Sequence, residues 1–481
     1  MGLMPSNLNM TAVIPHLTVL VLGLLLLFLS PIVSKKGKEI IPHLGWLGLV
    51  VALFLVMRNW FGSSFSFGNM LIVDHFSNFF DLIFILSSVL VIFSSISYLK
   101  REGIFRGEYF VLVIFATFGM MLMASGLDLI IIFLGLEIMS ISLYILAGFN
   151  RDDIKSNESS MKYFLMGAFA SAFLLYGIAF IYGSVGSTNL RQLMPVLQDL
   201  NLKHNLLFLI GIGFVLVGFG FKVALVPFHM WVPDVYQGAP TPTTAFISAG
   251  PKAAGFAALL RVFLFSLQPL HIDWIAIFWI LAVATMTLGN IVAISQSNIK
   301  RMLAYSSIAH AGYVLIGLVA GGFQGLSAAM FYLMVYVFMN IGAFAVIIAL
   351  GVRGEDKAEL SDYAGLADYH PWLAVFMAVF MFSLAGFPPT AGFMAKFYIF
   401  SAAVKQGYIW LVIVGVLNSL VSVYFYLRVV VVMFMHKSSV QARVSVLPFG
   451  LILTILFTIG TILYLGLFPQ RLLALVNTGV F

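Results

Sequence analysis

The sequence predicts an all-α polytopic membrane protein of about 14 transmembrane helices, with two inverted five-helix repeats that each contain a broken helix. Composition gives the first reason: of 481 residues, 62% are hydrophobic and only 9% are charged, with a mean hydropathy of +1.07. Soluble proteins carry about 25% charged residues. Apolar segments long enough to span a bilayer follow one another along the chain with short loops between them. Prolines interrupt two of these segments, which predicts the broken helices.

The predicted spans divide the chain into four parts. Residues 1–108 form an N-terminal three-helix segment, 109–266 the first repeat, 267–436 the second repeat and 437–481 a C-terminal helix. The spans are centred near Leu22, Val50, Ile85, Phe118, Ile138, Phe173, Phe214, Ala254, Ala284, Ile316, Val337, Val379, Val423 and Leu456.

Loop charges predict the orientation. Of the 25 Lys and Arg residues, 15 follow odd-numbered spans, 6 follow even-numbered spans and 4 lie within spans. Basic residues concentrate in cytoplasmic loops, so both termini are expected on the non-cytoplasmic side. We expect a bacterial inner membrane, and an organellar inner membrane stays open. The net charge of +7 belongs to loops that face anionic lipid, so nucleic acid is not an expected partner.

The absence of cysteine limits the chemistry of the chain. Thiolate-held iron–sulfur clusters, thiolate zinc sites and cysteine nucleophiles all require a residue that the sequence lacks. No glycine-rich phosphate-binding loop follows a strand pattern either. We therefore expect no cofactor or metal on this chain.

The first interrupted stretch runs from Gly211 to Arg261 and organises the rest of the sequence. It contains the prolines Pro227, Pro233, Pro240 and Pro242 and two buried cations, Lys222 and Lys252. Irregular backbone at membrane depth survives only where protein or water satisfies its polar groups, so a broken span predicts an internal polar cavity. An intramembrane lysine costs about 2.5–3.5 kcal/mol on insertion scales and by default indicates function.

A second interruption lies about 165 residues further on. Pro388 and Pro389 stand between Gly386 and Gly392, and Lys396 follows. Broken helices in corresponding positions of two halves are typical of inverted-repeat transporters.

The ionisable residues within spans form a candidate proton-transfer series. Glu137 lies mid-span and needs a cation or a proton, and Lys222 is its natural partner. Lys252, His310 and Lys396 could continue the relay through water. His229, within the first break, is a weaker candidate.

Each of these residues also has a structural interpretation. Glu137 and Lys222 could be an ion pair that fixes helix packing, and Lys252 could be equally inert. Lys396 could extend its side chain to the membrane surface. His310 could be a hydrogen-bonded packing residue, and His229 could cap a freed carbonyl. For Arg428 we favour a cation–π or lipid-headgroup contact.

Four motifs carry a family resemblance: FLGLEIMS, GFGFKVALVPFHMWVPDVYQGAPTP, NIKRMLAYSSIAHAGY and GFPPTAGFMAKF. Together they resemble the antiporter-like, proton-translocating subunits of respiratory complex I, and PDVYQGAP with a lysine in the second break looks like the N-type. The resemblance implies roles for Glu137, Lys222, Lys252 and Lys396. It also implies neighbouring antiporter-like and small membrane subunits as partners, with NADH, FMN, iron–sulfur clusters and quinone bound elsewhere in the complex.

Two other functional classes stay open. A subunit of a multi-subunit sodium/proton antiporter would share the broken helices and the Glu/Lys pair, but would purify without iron–sulfur subunits. A non-catalytic membrane scaffold would tolerate alanine at the buried charges.

Overall fold

The computed structural model describes residues 9–34, 37–197, 205–354, 356–437 and 447–477, and most of these are helical. The predicted orientation concerns the two ends of the chain. Residues 1–8 and 478–481, which form these ends, lie outside the described part of the chain.

The N-terminal part contains three long helices and a short hairpin. Asp74 caps the third helix by accepting a hydrogen bond from the Ser77 amide. The elements are α1 (Met10–Ile32), α2 (Ile40–Arg58), β1 (Ser64–Ser66), β2 (Leu71–Val73) and α3 (His75–Arg101), with β1 and β2 antiparallel.

The central part contains the first broken span. It comprises α4 (Gly107–Ser125), α5 (Leu129–Ala147), α6 (Ile154–Val185), α7 (Leu190–Val196), α8 (Leu206–Val223), α9 (Trp231–Gly238), α10 (Thr241–Ser248), α11 (Gly250–Leu260) and a π-helical turn, Arg261–Ser266.

The last part contains the second broken span. It comprises α12 (His271–Ile294), α13 (Ile299–Ala320), α14 (Gly322–Leu350), α15 (Leu366–Tyr369), α16 (Pro371–Ala385), α17 (Ala391–Lys405), α18 (Ile409–Met435), α19 (Phe449–Leu467) and α20 (Pro469–Asn477).

The predicted number of spans is confirmed. Within the described residues, thirteen helical segments are long and apolar enough to cross a membrane. The apolar helix α16 is shorter, and together with α17 it supplies a discontinuous fourteenth crossing.

The first break falls where the prolines predict it. Helix α8 ends at Val223. The next residue, Ala224, has a left-handed conformation with φ of 65°, and the chain resumes as a helix at Trp231. Only Pro227 lies in the unwound segment. Pro233 and Pro242 lie in the first turns of α9 and α10, where a missing N–H costs nothing.

Groups from neighbouring elements satisfy the unwound backbone. The Val226 amide donates to Thr285 Oγ1 of α12 at 3.1 Å, and the Trp231 indole donates to the Phe221 carbonyl at 3.0 Å. Free backbone groups cannot remain unpaired in a bilayer, so these contacts hold the break in place.

A further interruption separates α10 from α11. Ala249 has φ −106° and ψ −93°, and Pro251 follows in the first turn of α11. A proline at this position would clash with the carbonyl of Ile247 in a continuous helix. Lys252 therefore begins a helix rather than lying within an unbroken one.

The centre of the fold is formed by α13, α14 and the segment from α10 to the π-turn. Helix α14 is buried along its whole hydrophobic window, whereas α1, α2, α12, α18 and α19 keep most of their surface outward. Large apolar side chains such as Phe54, 69% exposed, and Phe169, 71% exposed, point away from the protein. The buried helices carry Lys252 and His310.

Candidate functional site

Lys222 lies two residues before the first break, in an aromatic environment. It is buried, its Nζ donates to the Tyr163 hydroxyl at 3.4 Å, and it lies 5.2 Å from the Tyr163 ring centre and 5.5 Å from that of Tyr144. Aromatic faces attract a cation, and a desolvated site strengthens that attraction. The site therefore accommodates an ammonium without a carboxylate in contact.

The predicted direct pair between Glu137 and Lys222 is wrong. Among the described residues no ion pair within 4.0 Å joins them, and the Glu137 carboxylate accepts a hydrogen bond from Ser171 of α6. Lys222 lies over Tyr144, which is seven residues beyond Glu137 and so about 10 Å further along α5.

Lys252 is held by the central helix α13. Its Nζ donates to the Ser307 carbonyl at 2.7 Å and also to the Ser307 hydroxyl. That hydroxyl is 3.2 Å from the hydroxyl of Tyr236 in α9. Ser307 thus links Lys252 to the helix that follows the first break.

His310 lies one turn beyond Ser307 and is fully enclosed. Its Nδ1 hydrogen-bonds to the Tyr332 hydroxyl at 2.7 Å, and its Nε2 to the Tyr426 hydroxyl at 3.1 Å. The Tyr336 ring lies 5.0 Å from the imidazole and 5.9 Å from Lys252 Nζ. His310 and Lys252 therefore contact the same aromatic ring.

Lys396 bonds across the second break, from α17 to the end of α16. Its Nζ donates to the carbonyl of Ala385, at the end of α16, and to Ser419 Oγ, both at 2.8 Å. The ammonium lies 5.2 Å from the Tyr313 ring, which itself lies 5.8 Å from His310. A lysine that reaches the membrane surface would not be only 5% exposed, so Lys396 is an interior residue.

These contacts form one buried line of polar and aromatic groups from Lys222 to Lys396. Lys222 contacts Tyr163, whose ring stacks on Trp231 at 4.4 Å, and Trp231 lies 6.5 Å from Tyr236. From Tyr236 the line continues through Ser307, Lys252, Tyr336, His310 and Tyr313 to Lys396. The structure thus brings together four of the six predicted residues.

The remaining predictions have different outcomes. Glu137 lies at one end of the line, next to Ser171. His229 is buried beside the Pro227 carbonyl, and no contact with the lysines is found among the described residues. Among the described residues Arg428 stacks on no ring. It donates to the carbonyl of Ile294, at the end of α12, and to that of Gln296, just beyond it.

A separate network of charges lies at the membrane side on which α13 begins. Lys300, buried, pairs with Asp356 at 2.9 Å, and Asp356 also accepts hydrogen bonds from Tyr98 and Thr241. Burial alone would raise the pKa of the Asp356 carboxyl, but Lys300 and these hydrogen bonds outweigh it and hold the pKa below its usual range. A polar cavity of about 930 Å³ adjoins Asp356.

The fold and its buried charges define an antiporter-like membrane protein. The family model described as NADH:quinone oxidoreductase/Mrp antiporter, TM, matches residues 126–422. The chain belongs to this family and, within it, to the subunit N group of NADH-quinone oxidoreductase.

Two curated relatives support the narrower group. NADH-quinone oxidoreductase subunit N of Trichlorobacter lovleyi is 53% identical over 429 residues, which cover 89% of this chain and 88% of the relative. The subunit N of Chloroflexus aggregans is 46% identical over 484 residues, covering 99% and 98%.

Solved structures share the fold. A chain of respiratory complex I from Thermus thermophilus with bound Aureothin has a TM-score of 0.83 and 33% identity, with 97% of this chain and 100% of that chain covered. A chain of the Mrp complex from Dietzia sp. DQ12-45-1b has a TM-score of 0.88 at 22% identity, covering 98% and 97%, and this likeness concerns the fold alone.

Proposed function

We propose that the chain translocates protons as a non-redox membrane subunit of a proton-pumping NADH-quinone oxidoreductase. The observation that carries this proposal is the buried line of contacts that runs from Lys222, in the first broken span, through Lys252 and His310 to Lys396, in the second. Buried ionisable groups are costly in a membrane, and a connected series of them is typical of proton relays.

Each residue has a role in this proposal. Lys222, Lys252 and Lys396 each bind and release one proton, and His310 passes protons between Lys252 and Lys396. Glu137 favours the charged form of Lys222 from a distance. Water completes the steps where the side chains are not hydrogen-bonded to each other.

The partners follow from the names of the relatives. The chain would pack against other membrane subunits of the complex, while NADH, FMN, iron–sulfur clusters and quinone would bind to partner subunits. To test this, the complex is purified through a tag on this chain and examined by native mass spectrometry and a quinone reductase assay. NADH-driven quinone reduction is expected. Purification with membrane subunits alone would instead favour the sodium/proton antiporter.

Two inverted repeats, residues 109–266 and 267–436, are part of the proposal. The broken span is the fourth of five in each: α8 with α9 in the first, and α16 with α17 in the second. Five crossings per repeat place the two repeats in opposite orientations in the membrane, which supports inverted symmetry.

The orientation is a separate prediction. On the loop-charge asymmetry, we expect both termini on the non-cytoplasmic side of a bacterial inner membrane. A periplasm-active reporter fused after Phe481 should be active, and a fusion after Arg353, in a loop on the opposite side, is the matched control. Activity only from a cytoplasm-active reporter after Phe481 would refute the orientation.

Glu137→Gln should lower proton pumping without preventing assembly. The amide oxygen can still accept the hydrogen bond from Ser171, but the negative charge that the proposal assigns to this position is lost. Pumping per electron pair is measured in sealed vesicles, with Glu39→Gln at an exposed ion pair as the matched control. An assembled Glu137→Gln complex that pumps at the native ratio would remove Glu137 from the mechanism.

A further inference from the structure

A second cluster of buried titratable groups lies away from the lysine line, among α1, α3 and α4. His16 Nε2 and Ser125 Oγ share a hydrogen bond of 2.8 Å, and the same nitrogen lies 3.7 Å from Asp81 Oδ2. Asp81 is 0% exposed and His16 is 1% exposed. Neither carboxylate oxygen of Asp81 has a hydrogen-bond partner among the described residues.

The positive charge of Arg261 is not available to neutralise Asp81. Arg261, in the π-turn, is paired with Asp74: the Nη1 and Nη2 atoms donate to the two carboxylate oxygens at 3.0 and 2.9 Å. Arg261 Nε donates to the Ala124 carbonyl. Since the charges of Asp74 and Arg261 cancel, an ionised Asp81 would need a positive charge on His16, and a buried unpaired charge is strongly unfavourable.

We propose that His16 and Asp81 form a second proton-binding site, which holds one exchangeable proton between them. In one state the carboxyl O–H of Asp81 is intact, the imidazole is neutral and Ser125 donates to Nε2. In the other state the O–H bond has broken and the proton is bound to Nε2, which leaves a carboxylate–imidazolium pair. Because 3.7 Å is too long for a hydrogen bond, the transfer requires a side-chain rotation that brings Asp81 Oδ2 closer to Nε2. The net charge of the cluster is the same in both states.

A metal ion fits this cluster less well than a proton. Hard cations such as magnesium and calcium take about six or more oxygen ligands, and here one carboxylate and one hydroxyl are available. No group of three or more His, Asp or Glu side chains within the described residues could hold a metal ion.

The cluster lies beside the helix that carries Lys252. Along α3, Asp74 pairs with Arg261, and Ser87 packs against Gly250, where an added methyl would lie 2.8 Å from Ser87 Oγ. Asp81 lies between these two contacts, and therefore level with the segment between Lys252 and Arg261.

Hydroxyl groups extend the polar face of α3 away from Asp81. Ser88 is seven residues further along and shares a 2.6 Å hydrogen bond with Thr117 of α4. Ser95, after another seven residues, donates to Tyr109 at 3.3 Å, and Tyr109 contacts Thr243 of α10 at 3.2 Å. A spacing of seven keeps these groups on one face of the helix.

The cluster lies near one side of the membrane, and this position indicates its role. His16 lies near the start of α1, Asp81 near the start of α3 and Ser125 at the end of α4, and these helix ends share one side. This side is opposite to the Lys300–Asp356 network. On the proposed orientation it is the non-cytoplasmic side, so the site passes protons outward. This assignment rests on the proposed function.

The test compares Asp81→Asn and His16→Gln in the intact complex in sealed vesicles. Both replacements are close in shape and cannot exchange a proton, and glutamine can still hydrogen-bond to Ser125. We expect assembled complexes whose protons per electron pair fall to the level of Lys222→Ala, while Asp81→Glu recovers part of the loss. Asp128→Asn is the matched control, since asparagine can still cap α5.

The outcomes separate the two proposals. The second site would be overturned if Lys222→Ala loses pumping but an assembled Asp81→Asn complex keeps the native number of protons per electron pair. If Asp81→Asn fails to assemble, His16→Gln gives the same test. A native ratio in Lys222→Ala as well would overturn the proposed function itself.

Discussion

Complexes that carry Lys222→Arg should assemble, reduce quinone and lose this subunit's share of proton pumping almost as completely as Lys222→Ala. Arginine keeps the positive charge and can stack on Tyr144 and Tyr163 as lysine does. However, a guanidinium holds its proton at any physiological pH. If Lys222 acts by releasing a proton, a permanent charge cannot replace it.

The measurement compares proton uptake and quinone reduction on the same sealed vesicles, so that a slower enzyme is distinguished from an uncoupled one. Lys405→Arg makes the same chemical change at an exposed position and should leave the ratio unchanged. If Lys222→Arg pumps at the native ratio while Lys222→Ala does not, a fixed charge suffices and Lys222 is not a proton carrier.

The second large effect is expected for His310→Gln. His310 is the titratable group between Lys252 and Lys396, and its two ring nitrogens bond to Tyr332 and Tyr426. Glutamine supplies an amide donor and acceptor in the same cavity but does not bind a proton near neutral pH. We expect an assembled complex in which protons no longer pass between the halves and the pumping ratio falls as far as in Lys222→Arg.

The control for this change is His43→Gln, at an exposed position of α2. Pumping per electron pair is the readout, because a packing role for His310 would affect the amount of assembled complex rather than the ratio. An assembled His310→Gln complex with the native ratio would show that the two halves move protons independently.

The spans and both breaks could be predicted because they rest on strong local signals. Long apolar runs have few alternatives in a membrane, and Pro227 and Pro388 cannot continue a helix. The interruption before Pro251 follows the same rule. The prediction overlooked it because the apolar pattern continues on both sides of Ala249.

The contacts of the site depend on how helices pack, which the sequence does not specify. In the sequence only their opposite charges pair Glu137 with Lys222, but in the structure Lys222 is level with Tyr144 rather than Glu137. Arg261 is one of the six basic residues that follow even-numbered spans and count as loop residues in the sequence, yet it is 3% exposed and paired with Asp74.

Tyrosines and acidic residues near helix ends also indicate buried polar sites. Tyr163, Tyr236 and Tyr313 count as hydrophobic in a hydropathy profile, although their hydroxyls and rings connect the lysines. Asp81, six residues into α3, resembles a boundary residue in sequence, but the fold encloses it completely. A search for Asp and Tyr on the buried faces of spans would have identified both features.

The double variant Lys222→Arg/His310→Gln tests most directly whether one connected line carries the protons. Changes in groups that act in one network are not additive, whereas changes at independent sites add. Protons per electron pair are measured for the native complex, both single variants and the double variant. We predict that the double variant loses no more than the more severe single variant. A loss equal to the sum of the two single losses would contradict a single connected line.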